Sequence, residues 1–125
     1  MPIRIAGNYK LVANGLTTLT GLSIFHQDGN SVEGSLGNDE ETDQFTGTFD
    51  DAANYIVIPF QSYGEFIYNA TLTGRAVEYP NVDGPFLYGT WAGDRIIFGG
   101  NPIHIIHFSH DVGNWSAGWS GEIIQ

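Results

Sequence analysis

Glycine recurs in the middle of segments that otherwise alternate like β-strands. In QFTGTFD (44–50), Gly47 lies between Phe45 and Phe49 on one face of the predicted strand. A glycine inside a strand costs backbone entropy and offers no side chain to pack. The same arrangement returns in VEGSL (32–36), LTGRA (72–76), LYGTW (87–91) and, more loosely, WSAGWSGEI (115–123). The chain therefore places glycine repeatedly where strands usually avoid it.

Period-two alternation extends along nearly the whole chain, and no segment keeps an apolar period of 3.6 residues. The segments that we predict as strands lie near 3–13, 17–27, 30–37, 43–50, 54–61, 65–77, 85–92, 94–99, 102–110 and 114–124. Turn signals separate them, including Gly93-Asp94 and Val112-Gly113 in the second half of the chain. Short strands joined by short connections predict an antiparallel meander.

Glycines on the inward face let strands coil sharply, and several coiled strands let a sheet close on itself. Closure also removes the exposed edges of an open sheet. The chain of 125 residues is long enough for one core and shows no linker. We therefore predict an all-β protein, with residues 1–125 forming a single closed or nearly closed antiparallel meander β-barrel of about 8–10 strands. A sandwich in which the glycines mark bulges or loops is the alternative.

Three segments resemble the avidin and streptavidin family of small antiparallel barrels, which belongs with the lipocalins to the calycin group. DGNSVEGSL (28–36) is similar to the family's hairpin, which runs from an Asp-Gly turn into a strand that contains glycine. FTGTFDDA (45–52) resembles its Thr-Gly-x-aromatic-Asp strand end, and NATLTGRA (69–76) resembles a later strand with a central glycine. The resemblance implies a barrel, because the order and spacing of these segments agree with that fold.

The resemblance also implies positions for a biotin site. Asn14 and Thr18 match the Asn and Ser, four residues apart, that bind the ureido oxygen in the family. Trp91 matches a pocket tryptophan, and Glu122 loosely replaces an Asp that binds the ureido group.

Other positions depart from the family. Leu36 and Leu72 stand where a hydroxyl-bearing tyrosine and a pocket tryptophan are expected. The chain is also longer between Trp91 and Trp115, with room for an additional hairpin. These departures argue against biotin as the ligand.

The first functional hypothesis is a non-enzymatic protein that holds a small hydrophobic or aromatic molecule in the barrel lumen without a cofactor. Small barrels have interiors that side chains either fill or line as a cavity, and inward aromatic rings suit flat apolar ligands. Inward glycines and alanines reduce the filling volume, although a solid aromatic core is the alternative. Besides Asn14 and Thr18, the residues predicted to line this lumen are Leu36, Phe45, Phe49, Phe66, Tyr68, Leu72, Leu87, Trp91, Trp115 and Trp119.

The second hypothesis is a cofactor-free cyclase or isomerase that folds a flexible apolar substrate of polyketide or oxylipin type, because small barrels such as allene oxide cyclases and certain spirotetronate cyclases resemble this one. Catalysis there rests on shape and orientation. His107, Tyr68 and Glu122 are the predicted catalytic residues. His107 would point into the lumen if Ile106 and Phe108 face outward, and imidazole titrates near neutrality.

The third hypothesis is a carbohydrate-binding lectin. The segments GGNP (99–102) and DVGNW (111–115) combine small polar residues with a tryptophan. If these segments are loops, an exposed ring there could stack on a pyranose.

No metal site is predicted. His104, His107 and His110 recur at intervals of three, which puts His107 on the opposite face of a strand from the other two. His104 and His110 would then be about 20 Å apart, too far for one metal ion. The acidic segment GNDEETD (37–43) lacks the spacing of an EF-hand loop and reads as a solvated hairpin tip.

The charge balance excludes several partners. Four basic residues are scattered among fourteen acidic ones, so there is no basic stripe for nucleic acid, and anionic membranes are disfavoured. The chain has no cysteine and its N-terminus has no apolar signal region, so we expect a cytoplasmic protein. Secretion after removal of a signal, and a homo-oligomer, stay open.

Overall fold

A computed structural model describes residues 3–16, 19–38, 42–63 and 66–122, without the side chains of residues 62, 63 and 66–68. Eight strands form a closed antiparallel barrel in which each strand pairs with the next and the last pairs with the first. They are β1 (Gly7–Ala13), β2 (Gly21–Asp28), β3 (Ser31–Gly37), β4 (Thr42–Asp50), β5 (Tyr55–Tyr63), β6 (Phe66–Val77), β7 (Phe86–Gly99) and β8 (His104–Gly121). None of the described segments forms a helix with the length and apolarity that crossing a membrane requires. The predicted closed all-β meander is confirmed.

Two of the predicted turns were wrong, because both lie inside long strands. Gly93 is part of β7 and pairs with Asp111, while Gly113 is part of β8 and pairs with Trp91. A Cβ atom at Gly113 would lie 2.5 Å from the carbonyl oxygen of Asn14. Glycine at these positions allows two backbones to approach closely. In a sequence, such a glycine cannot be distinguished from a glycine in a turn. The last four predicted strands are therefore only β7 and β8.

The repeated glycines of the opening pattern lie where the backbone of the neighbouring strand comes very close on the inner face of the sheet. A Cβ atom at the central glycine of any of the four stricter segments would collide with a main-chain carbonyl oxygen of the adjacent strand, whereas at Gly121 in the looser segment it would meet nothing within 4 Å. The collisions are Gly34 with Ser23, Gly47 with Val57, Gly74 with Tyr88, and Gly89 with Thr73. The strong coiling that closes the barrel thus depends on residues without a side chain.

Apolar side chains from all eight strands fill the interior. Phe49, Leu22, Ile56 and Leu87 are fully buried, and no polar or charged side chain is buried among the described residues. An eight-stranded barrel has an interior just wide enough for side chains to fill. The described part of the lumen is therefore a packed core.

The segment before β1 closes one end of the barrel, where strand structure was predicted to start at residue 3. Ile5 is fully buried, and its amide donates a 2.8 Å hydrogen bond to Oε1 of Gln27. Nε2 of Gln27 donates to the carbonyl oxygen of Ile3 at 2.9 Å, and the Tyr9 hydroxyl donates to the carbonyl oxygen of Ile5 at 2.6 Å. Burial raises the pKa of Tyr9, so this hydroxyl stays a donor. Side-chain hydrogen bonds, rather than backbone bonds between strands, hold this segment. We call residues 3–6 the plug.

At the opposite end, β7 and β8 continue past the last residue of β1 as a hairpin of residues 94–112, which we call the projecting hairpin; its β7 strand still pairs with β6 as far as Ile97. The pairing of β1 with β8 ends at Ala13 and Trp115. Residues 104–113 of β8 pair with β7 but with no other strand in the described part of the chain. Large apolar side chains of the projecting hairpin, such as Ile105 and Phe108, are exposed, in contrast to the inward-facing ones of the barrel.

Candidate functional site

The predicted lumenal residues lie inside the barrel, but they pack on one another. The buried members are Leu36, Phe45, Phe49, Leu72, Leu87, Trp91 and Trp115, and Trp119 is partly buried against them. Thr18 lies outside the described residues, and Phe66 and Tyr68 are described by their backbones alone. Around the described residues, the grooves that we find lie on the outer face of the sheet or at the plugged end. None of them gives the lumen room for a ligand.

The two buried tryptophans use their polar atoms inside the barrel wall. Nε1 of Trp91 donates a 2.8 Å hydrogen bond to the carbonyl oxygen of Asn14. Nε1 of Trp115 donates to the carbonyl oxygens of Thr73 and Thr90, at 3.0 and 3.1 Å. Asn14 thus contributes its backbone to a structural contact, and its side chain is exposed at the surface. These contacts fix the core and leave neither indole N–H to a ligand.

Two of the three residues predicted as catalytic, His107 and Glu122, are far apart in the fold. His107 is exposed on the projecting hairpin, paired with Ile97 beyond the barrel, so it does not point into the packed core. Glu122 is exposed beside the plugged end, where its carbonyl oxygen accepts a 3.2 Å bond from Asn8. Tyr68 has a register position opposite Arg95 on β7, and nothing further is described of it. His107 and Glu122 therefore lie at opposite ends of β8.

The predicted lectin loop around Trp115 is a strand instead. Residues 111–115 lie within β8, and the Trp115 ring is buried. An exposed ring for sugar stacking is therefore absent at this position.

One groove among the described residues runs across the outer face of β4–β8, and we call it the outer groove. It has a volume of about 470 Å³. Its outward-facing side chains are Gln44, Pro59, Gln61, Asn69, Thr71, Ala92, Asp94 and His110. A second groove of about 370 Å³ adjoins it and shares Thr71 and Ala92.

A row of polar side chains crosses the outer groove. Gln61 on β5 pairs with Asn69 on β6, Asn69 pairs with Asp94 on β7, and Asp94 pairs with His110 on β8. Directly paired residues in neighbouring strands have Cβ atoms about 5 Å apart. Inward residues such as Ala70 are buried, and their polar neighbours on the other face line the groove. Strand pairing thus gathers four polar side chains that are distant in the sequence.

Two features distinguish this polar row from an ordinary solvated surface. His110 Nδ1 lies 2.7 Å from Asp94 Oδ1, with side chains 59% and 43% exposed, so the carboxylate orients the ring. With Nδ1–H donating to Asp94, Nε2 is left as an acceptor. Oδ1 of Asn69 is buried and has no hydrogen-bond partner. An unpaired buried acceptor costs about 1–3 kcal/mol, so such groups are rare in proteins.

The rows on either side of the polar row are less polar. On one side, Ala92 pairs with Val112, and on the other Ile96 pairs with Phe108. The outer groove therefore presents hydrogen-bond acceptors between apolar flanks. No group of three or more potential metal ligands occurs among the described residues.

No family model, curated protein or solved structure matches this chain. The closed eight-stranded antiparallel barrel is consistent with a calycin-type architecture. Since fold alone does not determine function, the function must be argued from the groove itself.

Sequence reasoning missed the polar row because it treated the outer face as a solvated surface. Asn69, Asp94 and His110 are 25 and 16 residues apart in the sequence, and only the register of β6–β8 makes them neighbours. A signal was present in the alternation, because all three fall on the face opposite the inward aromatics.

Proposed function

We propose that this protein binds a small amphipathic molecule in the outer groove, without catalysing a reaction. The observation that carries the proposal is the buried, unpartnered Oδ1 of Asn69 in the centre of the polar row. Asn69 lines the outer groove, so a ligand donor would reach this atom once the Asn69 side chain turns towards the groove, and the bond would remove the cost of leaving it unpaired. Binding sites commonly combine a few placed polar groups with apolar walls, as this groove does.

The polar part of the ligand would carry donors. Asp94, Nε2 of His110 and Oδ1 of Asn69 are all acceptors, so a hydroxyl, an amide N–H or an ammonium group fits the row better than an anion. The chain's net charge of −10 also disfavours anions.

The apolar part of the ligand would lie along the flank towards the hairpin. Phe108 and Ile105 are exposed there, and Phe108 pairs with Ile96 while Ile105 pairs with Phe98. Phe rings and Ile side chains in a row favour contact with an aromatic or aliphatic body. The hydrophobic or aromatic ligand class predicted from the sequence is therefore retained, but its site moves from the lumen to the outer face.

The resemblance to avidin-like barrels supports the scaffold of this proposal rather than a biotin site. Leu36 and Leu72, which replace two family pocket residues, are fully packed in the core. The separation of His107 from Glu122 likewise favours binding over a cyclase.

A matched pair of fluorescent probes tests the proposal. 2-Naphthol carries a hydroxyl donor, whereas 2-methoxynaphthalene has a similar ring without a donor. We expect 2-naphthol to bind about tenfold more tightly, because only it can satisfy Asn69. Fluorescence titration gives both affinities, and native mass spectrometry of the purified protein would detect a resident ligand.

Asn69→Ala should remove the preference for 2-naphthol while leaving the weaker binding of the ether. Asn81→Ala, at an exposed loop position, is the control and should change neither affinity. Equal affinities of the wild-type protein for both probes, or no binding of either, would overturn the proposal.

A further inference from the structure

The projecting hairpin has a long unpaired strand edge. Beyond Trp115, the last backbone bond between β8 and the segment after β1 joins the Asn14 amide to the Asn114 carbonyl oxygen, at 2.9 Å. From residue 113 to residue 104, the edge of β8 that faces away from β7 has no strand partner in the described part of the chain. Natural proteins usually protect such edges with lysine, proline or a covering segment. The sequence IHIIHFSH (103–110) contains neither lysine nor proline.

Apolar side chains at this edge lie on both faces of the strand. Ile105 and Phe108 pair with Phe98 and Ile96 on the outer face. Ile106 packs instead beside Gly99, because the pairing of β7 with β8 is irregular at this point. A ligand or a protein packed on the sheet would cover only one face, whereas a strand added at the edge contacts side chains on both faces.

The charge of the segment suits an interface between identical chains. Fourteen acidic residues are spread along the sequence, but residues 95–110 contain none. The cores of protein interfaces are depleted in charge and enriched in aromatic residues. Asp111 is the only acidic residue among positions 104–113, so another copy of this segment would meet less repulsion than the rest of this acidic surface imposes.

The exposed apolar side chains supply more than half of the area that a stable dimer buries. Five side chains at the edge, Ile103, Ile105, Ile106, Phe108 and Val112, are 53–79% exposed. At on the order of 100 Å² each, they offer about 500 Å² of apolar surface before the strand's backbone is counted. A stable interface buries about 800 Å² per partner.

We propose that β8 pairs through this edge with β8 of a second copy of the same chain. The two strands run antiparallel around a two-fold axis near the middle of residues 104–113, which makes the contact identical on both sides. The sheets of the two projecting hairpins become continuous through main-chain hydrogen bonds, as in β-augmentation. The outer groove stays open, because edge pairing adds a strand beside the sheet rather than over it.

The mass in solution tests the proposal. Sedimentation equilibrium from micromolar to submillimolar concentration should show a monomer–dimer equilibrium for the wild-type chain. Ile106→Glu places a carboxylate opposite Asp111 of the second copy when the two-fold passes through the middle of residues 104–113, and it should weaken association at least tenfold, with an unchanged circular dichroism spectrum. Val12→Glu, at a position on β1 that is 63% exposed, is the matched control and should dimerise like the wild type.

A cysteine scan locates the contact, because the chain has no cysteine of its own. Single cysteines at positions 105, 107, 109 and 111 should form an intermolecular disulfide most readily at the position nearest the two-fold. Uniform crosslinking, a wild-type monomer at every concentration, or equal association of Ile106→Glu would overturn the proposal. Binding of the hairpin to neutral phosphatidylcholine vesicles by a monomeric protein would likewise overturn it. None of these results bears on the naphthol titration, so this proposal and the proposed function can fail separately.

Discussion

The barrel and the projecting hairpin are built from the same strands, but they bury their apolar residues differently. Leu87 at the start of β7 is fully buried, whereas Ile97, on the same face near the end of the strand, is only partly buried. The sequence is equally apolar at both places. The two places differ in strand pairing. Along the barrel, β1 pairs with the edge of β8 that faces away from β7, and along the hairpin no described strand pairs with that edge. Burial in this fold is therefore decided by which strands meet, and not by hydrophobicity alone.

The largest expected contrast comes from truncating one phenylalanine in each region. Phe49→Ala, in the packed core, should lower the free energy of unfolding by about 3–5 kcal/mol. Phe108→Ala, on the exposed hairpin, should change it by less than about 0.5 kcal/mol in dilute protein. Urea denaturation measures both. Similar costs at the two sites would mean that the hairpin is packed in solution as firmly as the barrel.

Substitutions at two glycines test whether the coiled strands need glycine in order to approach each other closely. Gly89→Ala would drive a Cβ atom into the carbonyl oxygen of Thr73 and should destabilise the protein by about 3 kcal/mol. Gly118→Ala on β8, where a Cβ atom meets nothing within 4 Å, should have almost no effect. Thermal and urea unfolding of the two variants test whether glycine is needed for close approach rather than for strand flexibility in general.

The plug should make stability sensitive to alkaline pH. Since burial raises the pKa of Tyr9 above its unfolded value, the unfolded chain loses this proton first as the pH rises. Stability should therefore fall above about pH 10, by up to about 1.4 kcal/mol per pH unit from this group. The difference between the wild type and Tyr9→Phe, measured by urea unfolding from about pH 9 to pH 11, isolates the contribution. Parallel curves for the two proteins would contradict it.

A small effect on stability is expected in the polar row. Asp94→Asn replaces the exposed carboxylate that bonds His110 and should change the free energy of unfolding by less than about 1 kcal/mol. The same variant should weaken 2-naphthol binding, because His110 loses the group that orients its ring. A large loss of stability without a change in affinity would assign the pair to the scaffold instead.

Much of the architecture could be predicted because each inward face follows a period of two. The alternation around Gly47 and Gly74 correctly indicated coiled strands that close into a barrel. The strand count was less certain, because Gly93 and Gly113 resemble turns while acting as contact points between backbones. The bonds between the Gln27 side chain and the backbone of the plug could not be predicted. A single side chain that bonds backbone groups in place of a neighbouring strand leaves no periodic pattern in the sequence.

The site was harder to predict than the fold, because a sequence shows faces but not registers. The inward aromatics were correctly placed in the interior, yet their direction did not reveal whether the interior was hollow. Volume depends on how side chains from eight strands interdigitate. The acceptors at Asn69, Asp94 and His110 become neighbours only after three strands are aligned, and an orphan acceptor is visible only once its surroundings are known.

The pairing of β1 with β8 brings the start of β1 beside the end of β8, since Asn8 pairs with Gly121 and its side chain reaches the carbonyl oxygen of Glu122. A linker from residue 122 back to the segment before β1 would join the described chain into a ring, and new termini could be made at the turn of residues 100–103. Such a circular permutant would keep every strand pairing of the closed barrel, and a fused reporter module would sit at the tip of the projecting hairpin.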